Sequence, residues 1–397
     1  MRSTWQITAA GLGLAGALLA GCSSSSSAPQ ESASPSEATS ATTGGDPSVR
    51  AAAEKLIADG TVPGAVVVIQ SDGDRQEIAV GASDLSSGAP MSASLPFRIA
   101  SVSKAFNGAV VLGMVNEGKL KLTDRLPAVW SQAPKAWRKV TVGQLLQHTS
   151  GLPDYIRSPK FVKDFIADPQ MSRTPEQLVD YVRDEPTEFP PGKKYQYSDT
   201  DNIVAGLIAE QTSGKAYPEL LGAVTTPLQL TQTTLPETSE MPAPFMHGYA
   251  PAEESGGEPE DVSELINPQL AWASGGMVST VDELNTFIRA YAAGELVDDQ
   301  VRAAQRQFVP GAGGPPGPGI NSSGLAIYRY QTPCGTFLGH TGNMPGYTTF
   351  IGATPDGKDS VVVAINSQVS PTSAPDEFRA LRALENVALC RAVERTG

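Results

Sequence analysis

The chain has 397 residues, with 29 Lys and Arg against 42 Asp and Glu, a formal net charge of −13, three Cys and three His. A balance of that sign opposes a nucleic-acid partner or an anionic membrane surface. There is no His-Glu-x-x-His, no Cys-x-x-Cys and no acidic calcium loop, so the sequence offers no metal site and implies no cofactor.

Arg2 precedes an apolar run through Ile7, Leu12, Leu14 and Leu18, too short for an ordinary membrane span and ending in small residues, as secretory signals do. It closes on Leu19-Ala20-Gly21-Cys22, which has the form of a bacterial lipobox. Residues 1–21 then read as a lipoprotein signal peptide and Cys22 as the lipidated residue, where two acyl chains suffice for anchoring. The alternative is a plain secretory signal cut near Ala20, with Cys22 a bystander. Ser23 to Asp46 mixes Ser, Ala, Thr, Pro and Glu without core-forming residues. Residues 22–46 are therefore expected to be a flexible tether. The expectation is an extracytoplasmic protein, lipid-anchored to a bacterial cell membrane, with its folded domain over 47–397.

A helical pattern runs from Val49 to Ala58. Ala65 to Gln70 and Glu77 to Val80 read as paired strands across Ser71-Asp72-Gly73-Asp74. Ser101-Val102-Ser103-Lys104 follows, where the apolar run Val110, Val111, Leu112, Met114, Val115 opens a helix. Positions i and i+3 share a helix face, so a hydroxyl and an amine stand together. A serine hydroxyl attacks only when a base takes its proton, and a lysine is a base only where its surroundings favour the neutral amine. A helix N-terminus would also favour an oxyanion near the Ser101 N–H. Taken alone, the same tetrad reads as an N-capping serine with a surface lysine one turn later.

The middle of the chain, about 130–270, is mostly helix and loop, with helical patterns over Pro175–Arg183 and Asp201–Gln211. Pro190, Pro191 and Gly192 break the chain before Tyr197-Ser198-Asp199, placing Tyr197 on a loop entering a helix. Glu253, Glu254, Glu258, Glu260 and Asp261 read as a solvated loop, and Gly311–Gly319, rich in proline, as a surface loop. His340-Thr341-Gly342 follows the apolar pair Phe337-Leu338 and reads as the end or edge of a strand. Thr348 to Ile351 and Val361 to Ile365 pair across Pro355-Asp356-Gly357-Lys358, and a helix runs from Asp376 to Arg395. The fold class is α+β: an antiparallel sheet built from both chain ends, flanked by helices, with an inserted, mostly helical lobe. The cleft between sheet and lobe would collect Ser101, Lys104, Tyr197 and His340.

There is no Gly-x-Ser-x-Gly nucleophile elbow and no Walker-type phosphate loop. His148 reads as a structural turn residue held by backbone hydrogen bonds, and His247 has no evident partner. An extracytoplasmic location permits disulfides. Cys334 precedes the His340 strand, and Cys390 lies in a helix expected to pack on that sheet, so the two are expected to be bridged; the alternative is two buried thiols.

Three such motifs in this order resemble the serine β-lactamase and penicillin-binding DD-peptidase superfamily, closest to class C β-lactamases and secreted DD-carboxypeptidases. Leu146-Gln147-His148-Thr149-Ser150-Gly151-Leu152-Pro153 and Ser274-Gly275-Gly276-Met277-Val278-Ser279-Thr280 are similar to two further segments of that group, and the likeness spans about residues 50–395. The resemblance implies Ser101 as the acylated nucleophile, Lys104 as its base or proton relay, and Tyr197, as phenolate or through a relay, serving the leaving nitrogen and the deacylating water. It implies an oxyanion hole from the backbone N–H groups of Ser101 and Asn343. Asp199, His340, Thr341 and Gly342 would bind substrate, with the Thr341 hydroxyl near a terminal carboxylate. Tyr155, Phe161 and Trp272 are candidates to line the pocket, with ordinary core packing the alternative.

Two positions depart from that pattern. Asp199 stands where the family usually has Asn, and an aspartate can accept a hydrogen bond but not donate one. It could pair with Lys104, and Asn202 could supply the missing donor. His340 replaces the commoner lysine, which removes a fixed charge; Arg329 nearby could restore one, the alternative being a solvated surface arginine. The implied activity is D-Ala-D-Ala carboxypeptidase on cell-wall peptidoglycan, with β-lactams as covalent ligands. The alternatives are an esterase, β-lactamase or D-amino-acid amidase of the same fold, or a low-turnover β-lactam- or muropeptide-binding lipoprotein.

Overall fold

A computed structural model describes residues 45–394, apart from 59, 72, 252–256 and 310–313. The expected signal peptide, Cys22, and all but the last two residues of the expected tether lie outside the described residues. No described helix is long and apolar enough to cross a membrane.

Five helices matter to the site: α1 (Pro47–Ile57), α2 (Ser103–Asn116), α3 (Asp199–Ser213), α4 (Val281–Ala293) and α5 (Pro375–Val393). Prolines in the first turns of α1 and α5 have no N–H to satisfy there. Asp46, assigned from sequence to the tether, belongs to the fold. Its carboxylate accepts from the N–H groups of Ser48 and Val49, caps α1, and pairs with Arg391 at 2.8 Å.

One antiparallel sheet organises the molecule. Its strands are β1 (Gly64–Ser71), β2 (Asp74–Asp84) and β3 (Ala89–Pro90), and, after the insertion, β4 (Ile320–Ser323), β5 (Tyr328–Thr332), β6 (Gly335–Met344), β7 (Tyr347–Ala353) and β8 (Ser360–Ile365). Their order is β3-β2-β1-β8-β7-β6-β5-β4. The two chain ends meet in the middle, with Ala65 opposite Ile365 and Gln70 opposite Ser360. Both hairpins expected from the sequence are present, closing at Ser71–Asp74 and Ala353–Ser360. The uninterrupted valines of β1 and β8 reflect burial on both faces. Val67, Ile69, Val361 and Val363 pack under α1 and α5, whereas Val66, Val68, Val362 and Ala364 join the core that contains α2 and α4.

The insertion between β3 and β4 carries α2, α3, α4 and shorter helices. The helix expected over Pro175–Arg183 stops at Asp180, while the one expected over Asp201–Gln211 runs from Asp199 to Ser213 and ends at Gly214 in the left-handed region, φ 71°. α2 is buried on nearly every side, which suits an all-round apolar helix at the centre of a domain. Part of the expected acidic loop is instead a two-residue ladder: Glu260 and Asp261 pair with Tyr249 and Ala250, and Asp261 accepts from His247 Nδ1 at 2.6 Å. Glu253 and Glu254 lie outside the described residues, as do 311–313 of the glycine-rich stretch. Cys334, in the β5–β6 turn, and Cys390, in α5, are joined as a disulfide with Cα atoms 5.0 Å apart.

Candidate active site

Ser101 does not begin a helix. It sits in a 3-10 turn, Ala100–Val102, and α2 starts at Ser103, whose hydroxyl donates to the Ala100 carbonyl at 2.7 Å. Ala100 adopts φ +49°, a conformation that costs a non-glycine residue about 1–3 kcal/mol and recurs at functional turns. Across from this turn runs β6. A Cβ on Gly342 would stand 2.3 Å from the Ile99 carbonyl oxygen, so only glycine lets strand and turn come this close.

Lys104 lies one helical turn on and is 1% exposed. Its Nζ is 3.0 Å from Ser101 Oγ, 2.6 Å from Asp199 Oδ1 and 2.7 Å from the Ser274 carbonyl. Three acceptors match the three donors of an ammonium. A neutral amine fits the same place: two N–H groups go to Asp199 and Ser274, and the lone pair faces the Ser101 hydroxyl. Asp199 pairs with Lys104, and its side chain is 14% exposed at the cleft surface.

Tyr197 lies beside this pair. Its ring centroid is 4.9 Å from Lys104 Nζ, and its buried hydroxyl, next to Ser101, lacks a hydrogen-bond partner among the described residues. Burial, with the Asp199 charge adding to it, pushes the phenol well above its ordinary range. Burial thus favours the neutral phenol over the phenolate.

His148 is more than a turn residue. Its φ is +56°, its carbonyl accepts from Gln196 N–H at 2.8 Å, and its Nδ1 accepts from Ser198 N–H at 3.3 Å, so it clamps both neighbours of Tyr197. Its ring lies 4.6 Å from that of Tyr197. Nδ1 is also 3.0 Å from Asp201 Oδ2, and Ser150 Oγ donates to Asp201 Oδ1. Burial drives the imidazole well below and the Asp201 carboxyl well above their usual values. Burial thus favours the uncharged form of each partner in this contact. Asp154 accepts from Asp199 N–H at 3.1 Å and is raised to about 8, first by burial and then by the Asp199 charge. Asp154, Asp201 and the Ser274 carbonyl escaped sequence reasoning. An acid near a helix start ordinarily complements the dipole and carries no further signal.

His340 lies inside β6 rather than at its end, 1% exposed. Burial and the Lys104 charge lower it to about 3, and the neutral ring donates from Nδ1 to the Thr341 carbonyl at 2.6 Å. Thr341 is buried and faces Tyr330. Pairing of β5 with β6 ends at Tyr328–Gly339, so among the described residues His340 to Asn343 have no neighbouring strand on that side.

A cleft of about 340 Å³ opens over the serine. Ser101, Asp199 and Asn343 stand on its wall with Tyr155, Phe161 and Met344; Lys104, Tyr197 and His340 are not among the residues that line it. Three sequence expectations fail here. Trp272 packs on Tyr217, 4.8 Å between centroids, away from the wall. Asn202 is buried, accepts from Asn107 Nδ2 and is not among the residues that line the cleft. Arg329 stacks over Phe308 at 4.7 Å and donates to Ser322 rather than entering the site.

Residues 49–386 match the family model described as Beta-lactamase. The chain belongs to the Beta-lactamase family. Within that family it is 27% identical to penicillin-binding protein 4 of Amycolatopsis lactamdurans over 345 residues, 81% of this chain and 85% of that protein. Among solved structures it resembles a D-stereospecific amidohydrolase from Streptomyces at 29% identity and TM-score 0.73, covering 84% of this chain and 97% of that one. A D-amino acid amidase from Ochrobactrum anthropi, solved with L-phenylalanine amide, shares the fold at TM-score 0.75 and 23% identity over 86% and 98% of the two chains. The chain is thus a β-lactamase-fold member of a serine-hydrolase family whose members act on β-lactams and on amide or peptide substrates.

Proposed function

We propose that this chain hydrolyses amide bonds of D-amino-acid substrates through a Ser101 acyl-enzyme. The observation that carries the reading is a fully buried amine, Lys104 Nζ, 3.0 Å from a serine hydroxyl on a cleft wall. In the neutral state its lone pair takes the Ser101 proton as Oγ bonds to the acyl carbon. The proton then passes to the leaving nitrogen as the C–N bond breaks. Water repeats the sequence, with Ser101 as leaving group. The unpartnered Tyr197 hydroxyl beside Ser101 suits relay of that proton in both halves. The backbone N–H groups of Ser101 and Asn343 serve as oxyanion donors, each worth about 10²–10³ in rate. The free edge of β6 at His340, Thr341 and Gly342 would hold the substrate backbone.

The 29%-identical amidohydrolase supports the D-amide class. A D-Ala-D-Ala carboxypeptidase is the second reading, supported by the likeness to penicillin-binding protein 4. The second reading makes β-lactams covalent ligands, and esterase, β-lactamase or slow-turnover binding would use the same serine. The Ser101→Ala variant should lose p-nitrophenyl acetate hydrolysis and fluorescent penicillin labelling together. Undiminished turnover in that variant would remove the reading. The proposed location is the outer face of a bacterial membrane through a lipid on Cys22; Cys22→Ala should move the protein from the membrane pellet to the soluble fraction, and unchanged retention would count against lipidation.

A further inference from the structure

We propose that Asp199 is a substrate-binding residue that selects acyl groups bearing a free α-ammonium, so that the preferred substrates are apolar α-amino-acid amides or the N-terminal residue of a peptide. This rests on the Ser101 acyl-enzyme reading and narrows it.

Charge along the wall is the first ground. Among the described residues that line the cleft, Asp199 is the one charged side chain, and no Lys, Arg or His is present. The adjoining cavity, which shares Gln368 and Ser373, adds Asp376 and Glu377 and again no cation on its wall. Asp376 is paired with Arg379, and Glu377 accepts from Thr61. His340 is neutral and Arg329 is stacked elsewhere. Among the described residues, no cation stands on either wall ready for a terminal carboxylate. An Asn343 amide could bind one, yet its Nδ2 already donates to Thr348 and Val369, and its Oδ1 accepts from Gln368.

Geometry is the second ground. Lys104 Nζ bridges Ser101 Oγ at 3.0 Å and Asp199 Oδ1 at 2.6 Å, so the two oxygens stand no farther apart than these contacts laid end to end. An α-nitrogen is two bonds from the acyl carbon that Ser101 attacks, which puts it in reach of Asp199. Only Oδ1 is engaged; Oδ2 has no partner among the described residues, and the side chain is partly open to the cleft. The carboxylate can therefore hold Lys104 with one oxygen and a substrate ammonium with the other. The rest of the wall, with Tyr155, Phe161, Phe165, Leu265 and Met344, suits an apolar or aromatic side chain.

The test compares kcat/KM for D-phenylalanine p-nitroanilide with that for its N-acetyl derivative, in wild type and in Asp199→Asn. A ratio between two substrates on one enzyme cancels any effect of the substitution on Lys104. A hydrogen bond to a charged group is worth about tenfold or more, so wild type should favour the free amine by about that factor and Asp199→Asn should bring the ratio near one. A wild-type ratio of one or less, an unchanged ratio in the variant, or cleavage of neither anilide would overturn the proposal. Ser101→Ala assayed on p-nitrophenyl acetate separates the two levels. Activity that survives there overturns the acyl-enzyme reading, whereas Ser101-dependent activity without amine preference overturns only the role of Asp199.

Discussion

The Tyr197 hydroxyl is buried next to Ser101 with no hydrogen-bond partner among the described residues, which costs folding stability but leaves the group free to pass a proton. Tyr197→Phe should therefore slow turnover by about 100-fold or more while leaving Tm unchanged or slightly raised; near-wild-type kcat would refute the relay. Asp154 makes a second residue-scale prediction. Its folded-state pKa is raised from 3.8 to about 8, so above pH 4 the unfolded chain holds fewer protons at this group than the native one. The stability it contributes is complete below 3.8 and is lost as pH rises through about 8. Asp154→Asn keeps an acceptor for the Asp199 N–H and cannot ionise. Between pH 4 and 8 the wild-type Tm should fall relative to that variant, and parallel curves would contradict the shift.

At the scale of elements, what holds the site is the approach of strand to turn. Gly342→Ala would drive a methyl into the Ile99 carbonyl, forcing β6 off the serine turn. The expected cost is about 1–3 kcal/mol in urea unfolding with a larger loss in kcat/KM; wild-type behaviour would show the strand free to give. The sheet itself was legible in the sequence because its valine runs, bounded by Asp-Gly turns, leave little choice of pairing. Ser101, Lys104 and Tyr197 were brought forward by the resemblance of three ordered motifs to one family, since taken alone the Ser101–Lys104 tetrad reads as a helix cap with a surface lysine. The 3-10 turn at Ser101 was not legible, since it is fixed by distant segments: the Ile99 N–H donates to the Met277 carbonyl, and Gly342 packs against the Ile99 carbonyl. Nor was the His148–Asp201 couple, whose partners are 53 residues apart and meet only when α3 docks. Trp272, Asn202 and Arg329 were misplaced for the same reason: their directions are set by packing, not by local pattern.

Across the whole molecule, the chain ends form the sheet and the middle brings the lobe to it, so the cleft exists only when both are folded. The Cys334–Cys390 bond ties α5 to the β5–β6 turn across a separation of 56 residues. Cys334→Ser should cost about 2–4 kcal/mol in the oxidised protein, read as a lower urea midpoint; an unchanged midpoint would leave the sheet–helix core sufficient alone. The central claim is that the Lys104 amine makes Ser101 attack acyl carbon. Its most direct test is peptide mass spectrometry after rapid quenching of wild type and Lys104→Met with a penicillin. The account predicts an adduct on the Ser101 peptide that forms in wild type and is slowed by at least three orders of magnitude in the variant; an adduct on another residue, or equal rates in the two proteins, would contradict it.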